Sequence, residues 1–312
     1  MQNKKIISAA VLLLLLLSLI SSIYLIFLNK DHKHKGISLL SIKKKSELPA
    51  IGLVEIYGQI YSPYQESSFF ESSGLQGILD TLKDFREDEE IKGVILRINS
   101  PGGTIGAVQE ITREIERIGK EGKPVVASVS DIGASGGYYI ASACDKIVVN
   151  GGSIIGSIGV IFMSADISDL MEKIGVKVET IQSGPYKDAG SFYRPFKAEE
   201  KKFLQDIIED AYDQFVDVVS SGRKMTVEEV KKVARGQIFT GRQAKELKLV
   251  DELGDLITAK KAVEKLAGIK EGKLVRRTAP KWKKLSQLFN MKNSVFSLKQ
   301  NKFSGLSYIY RP

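Results

Sequence analysis

Three glycine-rich segments punctuate the middle of the chain: Asn99-Ser100-Pro101-Gly102-Gly103, Gly133-Ala134-Ser135-Gly136-Gly137, and Gly151-Gly152 running on to Gly156-Ser157-Ile158-Gly159. Glycine lets a backbone turn sharply and approach another group closely, and successive main-chain N–H groups can cradle an anion. Each segment alone reads as turn chemistry; three in one region point to a site. None ends in the Lys-Ser/Thr of a phosphate loop. Ser135, between small residues at a strand-to-helix turn, is the nucleophile candidate, with a helix N-terminus favouring a developing anion. The competing reading is a helix-capping serine. A serine nucleophile needs a base, and the only histidines, His32 and His34, precede the globular region, so a Ser-His-Asp triad is excluded there. A lysine can serve when burial brings its pKa from about 10.4 toward about 7–8. Lysines and arginines number 46. Lys187 stands out by its small-residue setting, Ser183-Gly184-Pro185-Tyr186-Lys187-Asp188-Ala189-Gly190. An ordinary surface lysine is the alternative. Cys144, the single cysteine, excludes an internal disulfide and a Cys-rich zinc site, and falls inside a helix as a small core residue.

These residues must be held by elements that alternate along the chain. Residues 51–57, 93–98, 124–129 and 146–149 read as strands, with a further strand near 176–181. Residues 74–85 read as a helix, and Ile105, Val108, Ile111, Ile115 and Ile118 repeat at helical spacing. A short helix over 138–144 follows Ser135. A long one over 198–220 places Leu204, Ile207, Ala211, Phe215 and Val218 on one face. The alternation implies an α/β layered domain.

The 312 residues, 43% hydrophobic and 27% charged, exclude a disordered or fibrous chain. The net charge of +9 would suggest nucleic acid, but it resolves into +6 over residues 1–50 and +10 over 273–312, which leaves −7 for 51–272. The central domain is acidic, and the nucleic-acid reading fails. Residues 6–28 carry no charge over 23 residues. At about 1.5 Å per residue they span about 34 Å, enough for a hydrocarbon core of about 30 Å and too long for a cleaved signal peptide. They read as an uncleaved anchor behind a short tail of residues 1–5, and basic flanks on both sides leave its orientation open. Residues 29–49 form a Lys-rich linker suited to an anionic membrane surface. Residues 273–312 mix bases with Trp282, Leu285, Phe289, Phe296 and Phe303. This tail fits a membrane-surface segment, a solvated end, or a strap folded back on the acidic domain and its cleft.

The order NSPGG at 99–103, ASGGYYIAS at 134–142, GSIGV at 156–160, SGPYKDAGS at 183–191 and FTGRQAKELKLVDELG at 239–254 resembles the signal peptide peptidase family, SppA type. The resemblance covers roughly residues 50–268. It implies a membrane-bound Ser-Lys serine protease of crotonase/Clp-protease-like layered fold with repeated ββα units over residues 50–272. It also implies Ser135 as nucleophile, Lys187 as general base, Ser157 orienting the lysine, and main-chain N–H groups of Gly102 and Gly136 as the oxyanion hole. No cofactor or metal is implied. The expected substrates are remnant signal peptides in the lipid bilayer, the expected assembly is a homo-oligomeric ring, and the catalytic domain is expected outside the cytoplasm on a single-pass anchor. Two positions depart from the family: Lys248 stands where glycine is usual at a helix end, and Gln237 where arginine is frequent. A left-handed lysine at 248 would cost on the order of 1 kcal/mol. Two other classes remain open, a non-catalytic membrane scaffold and a crotonase-type acyl-CoA enzyme that would turn the same glycine pairs on a thioester oxyanion.

Overall fold

The computed structural model describes Ser18, residues 48–62 and 74–277, and the strand Ser307–Ile309. The chain divides into two units, Met1–Glu47 and Leu48–Pro312, and the second carries the sheet and its helices. The apolar segment 6–28, apart from Ser18, lies outside the described residues. No helix among those described is long and apolar enough to cross a membrane.

Strands β1 (Ala50–Tyr57), β2 (Ile91–Ser100) and β4 (Val125–Ala134) form the middle of the main sheet. They pair in parallel, Ile51 opposite Gly93 and Val94 opposite Val125. Parallel strands with both faces covered read as nearly unbroken apolar runs, as GVILRI at 93–98 does. β4 changes neighbour along its length. Its first half pairs with β5 (Lys146–Val149), its last residues, Ile132 to Ala134, with β6 (Ile154–Gly156). The sheet continues on one side through the antiparallel β7 (Ile238–Thr240) and on the other through β9 (Lys273–Val275), while β8 (Glu252–Leu253) extends β5. β9 belongs to the sheet although the charge pattern starts the tail at residue 273; Ala50 to Gly52 pair with it. The short β3 (Gly102–Thr104) stands outside this sheet.

Helices cover both faces. On one lie α1 (Leu75–Glu87), α2 (Ile105–Lys120), α3 (Gly136–Ser142) and the 26-residue α5 (Ala198–Arg223), packed with Ile56, Leu96, Ile98 and Val129 of the sheet. The short α4 (Ser168–Lys173) has no buried residue. α6 (Val227–Val233) and α7 (Gly241–Glu246) follow on the α5 side. On the opposite face α8 (Leu256–Leu266) sets Ala259, Ala262 and Val263 against Ile51, Leu53, Ile95 and Val126. This mixed α/β architecture around a central sheet fits a Clp-protease-like layered fold.

Two expectations change. Residues 176–181 form no strand: the stretch is irregular and Ile181 is 97% exposed. An apolar stretch becomes a strand only where a neighbouring strand pairs with it, and no described strand pairs with these residues. The strand read over 124–129 instead runs on to Ala134, which places Ser135 at the carboxyl end of a central strand. Lys248 does adopt the left-handed conformation, φ 62°.

The crossing of α3 and α5 is unusually close. A Cβ on Gly222 would collide with the Ser142 carbonyl, while Tyr139 and Phe215 pack with ring centroids 5.0 Å apart and planes tilted by 48°. We expect Gly222→Ala to lower the unfolding temperature by several degrees, since overpacking typically costs about 1–3 kcal/mol. Gly119→Ala, in α2 with nothing within 4 Å of the added carbon, should be neutral or stabilising by about 0.5–1 kcal/mol. A Gly222→Ala chain melting at the wild-type temperature would mean the two helices are free to separate.

Candidate functional site

Between the end of β4 at Ala134 and the start of α3 at Gly136 there is one residue, Ser135. Its backbone stands at φ 51°, ψ −120°, a region that costs an L-residue about 1–3 kcal/mol. Ser135 occupies the capping position of α3, yet its side chain makes no capping hydrogen bond. Helix capping therefore does not account for this serine. Its N–H donates to the Gly156 carbonyl at 2.8 Å and its own carbonyl accepts from the Tyr139 N–H at 2.8 Å. The residue is 1% exposed.

The three glycine-rich segments converge here. The Gly156 bond brings the third beside Ser135. The first arrives because Gly137 has no side chain: a Cβ there would stand 2.7 Å from the Ser100 carbonyl oxygen. Gly102, at φ 105°, turns its N–H to the Ser100 hydroxyl at 3.1 Å, and that hydroxyl donates to the Gly58 carbonyl at 2.6 Å. Gly136 opens α3, so its N–H belongs to the first turn, where helices leave donors unpaired. Ser157 is also left-handed, φ 51°, and buried. Its N–H donates to the Gln237 carbonyl at 2.8 Å. It lines a cavity of about 380 Å³ with Gln205, Glu209, Tyr212 and Arg235.

Lys187 is not brought into this group. Its side chain is exposed, and among the described residues it makes no hydrogen bond to Ser135 or Ser157; its backbone N–H donates to the Gly184 carbonyl at 3.2 Å. The neighbouring Asp188 is gripped by Arg194, Nε to Oδ2 at 2.8 Å and Nη2 to Oδ1 at 2.6 Å. The same guanidinium holds Glu200 through bonds of 2.9 and 2.5 Å. The Arg194 hydrogen bonds hold both carboxyls below their ordinary range, and the two carboxylates hold the guanidinium above its own. Glu200 sits in the first turn of α5, which meets α3 at Phe215. At about 1.5 Å per residue, the helix separates those two points by about 22 Å. Arg194 escaped the sequence reading because its partners lie six residues away on either side, a spacing that belongs to no helix or strand period.

Cys144 is buried, its thiol donating to the Ile140 carbonyl at 3.5 Å. Burial pushes the thiol up and so suppresses the reactive thiolate.

Comparison with known proteins places these features in a family. The model for peptidase family S49 matches residues 117–270. A protein named "Putative protease" in Synechocystis sp. is 42% identical over 231 residues, 74% of this chain and 79% of that protein. One of the same name in Methanocaldococcus jannaschii is 37% identical over 228 residues, 72% and 73% of the two chains. A "Putative signal peptide peptidase SppA" of Enterococcus faecium is 42% identical over 191 residues, 61% of this chain and 56% of that protein. The chain belongs to peptidase family S49. The resemblance to peptidases of the SppA type, drawn from five short segments, holds across the domain.

For an S49 peptidase the surroundings of β3 bear on how a peptide could bind. One edge of β3 is filled by Ile60, whose N–H donates to Gly102 at 2.9 Å and whose carbonyl accepts from Thr104 at 2.8 Å. The other edge is taken by β10 (Ser307–Ile309), antiparallel, with Ile309 opposite Gly102 and Tyr308 opposite Gly103. An extended substrate adding a strand beside Gly102 would need that same edge. Removing residues 279–312, which spares β9, should therefore raise the turnover of short peptides several-fold. Equal turnover by full-length and shortened chains would mean that β10 does not compete with substrate.

Proposed function

We propose that this S49 peptidase is a serine endopeptidase with a Ser-Lys dyad, anchored by residues 6–28 and digesting signal peptides left in the membrane after their cleavage. The observation that carries the serine assignment is the strained turn at Ser135, which presents a hydroxyl that caps nothing beside two glycine segments rich in main-chain donors. In this reading neutral Lys187 takes the Ser135 proton and the alkoxide attacks the peptide carbonyl. Main-chain N–H groups of Gly136 and Gly102 stabilise the tetrahedral oxyanion, the latter by giving up its 3.1 Å bond to Ser100. Losing one such donor typically costs about 10²–10³ in rate. The lysine then protonates the leaving amine, and water hydrolyses the acyl-enzyme. Ser157 orients the lysine. A buried apolar peptide suits a tethered enzyme, and the name of the Enterococcus faecium relative points to the same substrate. The catalytic domain would then face away from the cytoplasm, where translocated signal peptides end.

A lysine base needs to be shielded from water, and Lys187 is exposed in the single chain. The segment around it also leaves Met163, Leu170, Ile174, Ile181, Phe192 and Phe203 exposed, a concentration of apolar surface that marks an association site. Both features support a homo-oligomer in which Lys187 of one copy approaches Ser135 of the next.

Ser135→Ala and Lys187→Ala should each abolish peptide hydrolysis without altering assembly, because a general base contributes about 10²-fold or more. Co-expressing the two inactive variants should restore activity well above either alone. Retention of more than about a tenth of the activity by Lys187→Ala would remove it as the base. A co-expressed pair as inactive as its components would rule out a dyad shared between copies.

A further inference from the structure

The loop that carries Lys187 is built from short-range turns. Lys187 N–H donates to Gly184 at 3.2 Å, Ala189 N–H to Tyr186 at 3.2 Å, and Ser191 N–H to Asp188 at 3.1 Å. Such bonds shape a loop without fixing it to the body of the domain. One tie comes from the Ser164 hydroxyl, which donates to the Gly190 carbonyl at 2.6 Å; the others come from the two residues that flank the lysine. On one side the Tyr186 ring packs on Phe203 of α5, centroids 5.5 Å apart. On the other, Asp188 is bound through Arg194 to Glu200 in the first turn of the same helix. Glu200 is 1% exposed and also accepts the Lys197 N–H at 3.0 Å, so it cannot swing away without uncapping α5. Lys187 thus projects from between two anchors on one rigid helix. Its own ammonium pairs with no carboxylate among the described residues.

We propose that Arg194 is a positioning residue for the general base, acting through Asp188. The inference rests on Lys187 being that base. A planar guanidinium can bridge two carboxylates in fixed geometry, which an ammonium cannot do. A lysine side chain has four rotatable bonds, so the direction in which it leaves the loop depends on the backbone on either side of it. Releasing Asp188 would let the loop rock about the Tyr186 contact and spread the amine over positions that do not meet the serine. Small misplacements of this kind can cost about 10²-fold.

Asp188→Asn is the informative variant, because it leaves the Arg194–Glu200 pair and the α5 cap in place. It also separates position from charge by sign. Removing a negative charge beside a lysine base favours its neutral, active form, so charge alone would raise the rate at neutral pH. Positioning predicts the reverse. Full-length Asp188→Asn should lose about tenfold or more from the high-pH plateau of kcat, with KM within about twofold, oligomer size unchanged and a melting temperature lowered by no more than a few degrees. Arg194→Gln should lose at least as much, Arg194→Lys should not rescue it, and the Asp188→Asn/Arg194→Gln double variant should be little worse than either single. A wild-type or higher plateau in Asp188→Asn would overturn the proposal. Lys187→Ala measured alongside distinguishes the two ideas: if it is inactive while Asp188→Asn keeps its plateau, positioning alone falls. If Lys187→Ala stays active, the base assignment falls and this proposal with it.

Discussion

Everything around the site depends on one unfavourable residue conformation, the left-handed Ser135 between β4 and α3. A strain of about 1–3 kcal/mol persists only where the surroundings over-determine it. Here they do so from both sides of the turn. The N–H of Ser135 is fixed to Gly156 and its carbonyl to the Tyr139 N–H, and α3 is buried along its whole length. Tyr138 donates its hydroxyl to the Leu249 carbonyl at 2.7 Å, and Tyr139 packs against Phe215. A helix locked in this way cannot rotate to relieve the turn that precedes it. The glycines at 137 and 222 let neighbouring backbones close in on that helix, so residue types that look like simple turn formers are packing requirements of the strained serine.

The second constraint is α5. One end of the helix lies on α3, and the other carries the Glu200–Arg194–Asp188 link to the loop bearing Lys187. A rigid rod therefore joins the turn of the proposed nucleophile to the loop of the proposed base and, over about 22 Å, keeps the loop away from α3 in the same chain. The exposed apolar side chains around residues 161–203 belong to the same picture: they are costly in water and inexpensive against another copy. On the proposed reading, the features that look incomplete in one chain are the two halves of an interface.

The legible part of this fold was the part governed by period. The alternation of apolar runs placed the strands at 51–57, 93–98 and 146–149, and the isoleucines from 105 to 118 placed α2, because burial there depends on neighbours along the same element. Residues 176–181, with Val176, Val178 and Ile181, read as a strand and form none, since pairing depends on a partner edge that no local pattern encodes. The extension of β4 to Ala134 was hidden by Ser130 and Asp131, polar residues where the strand nears the surface. β9 was hidden by charge: Arg276 pairs with Glu55 at 3.2 Å, and Arg277 lies over the Phe85 ring and binds Asp88, so two residues counted with a basic tail are part of the folded unit. For the site, the glycine segments announced a convergence that the geometry bears out, whereas the relation of Lys187 to Ser135 was beyond the reach of spacing. On the proposed reading, a dyad divided between copies would have no sequence separation to read.

Such a division would have a physical consequence for an enzyme of this class. A serine hydroxyl is a weak nucleophile until a base is beside it, and a lysine in open water holds its proton at neutral pH. A single chain with Ser135 buried and Lys187 exposed would then be chemically silent, however well formed its turn and its donors. Association would do two things at once: cover the apolar surface, which drives the assembly, and take the lysine out of water, which makes it a base. Hydrolysis would therefore be confined to the assembled form, and the same burial that stabilises the oligomer would supply the pKa change that the chemistry needs. On the same reading β10, held beside Gly102 by antiparallel main-chain pairing, would add a further control, because another extended peptide could pair with β3 in its place.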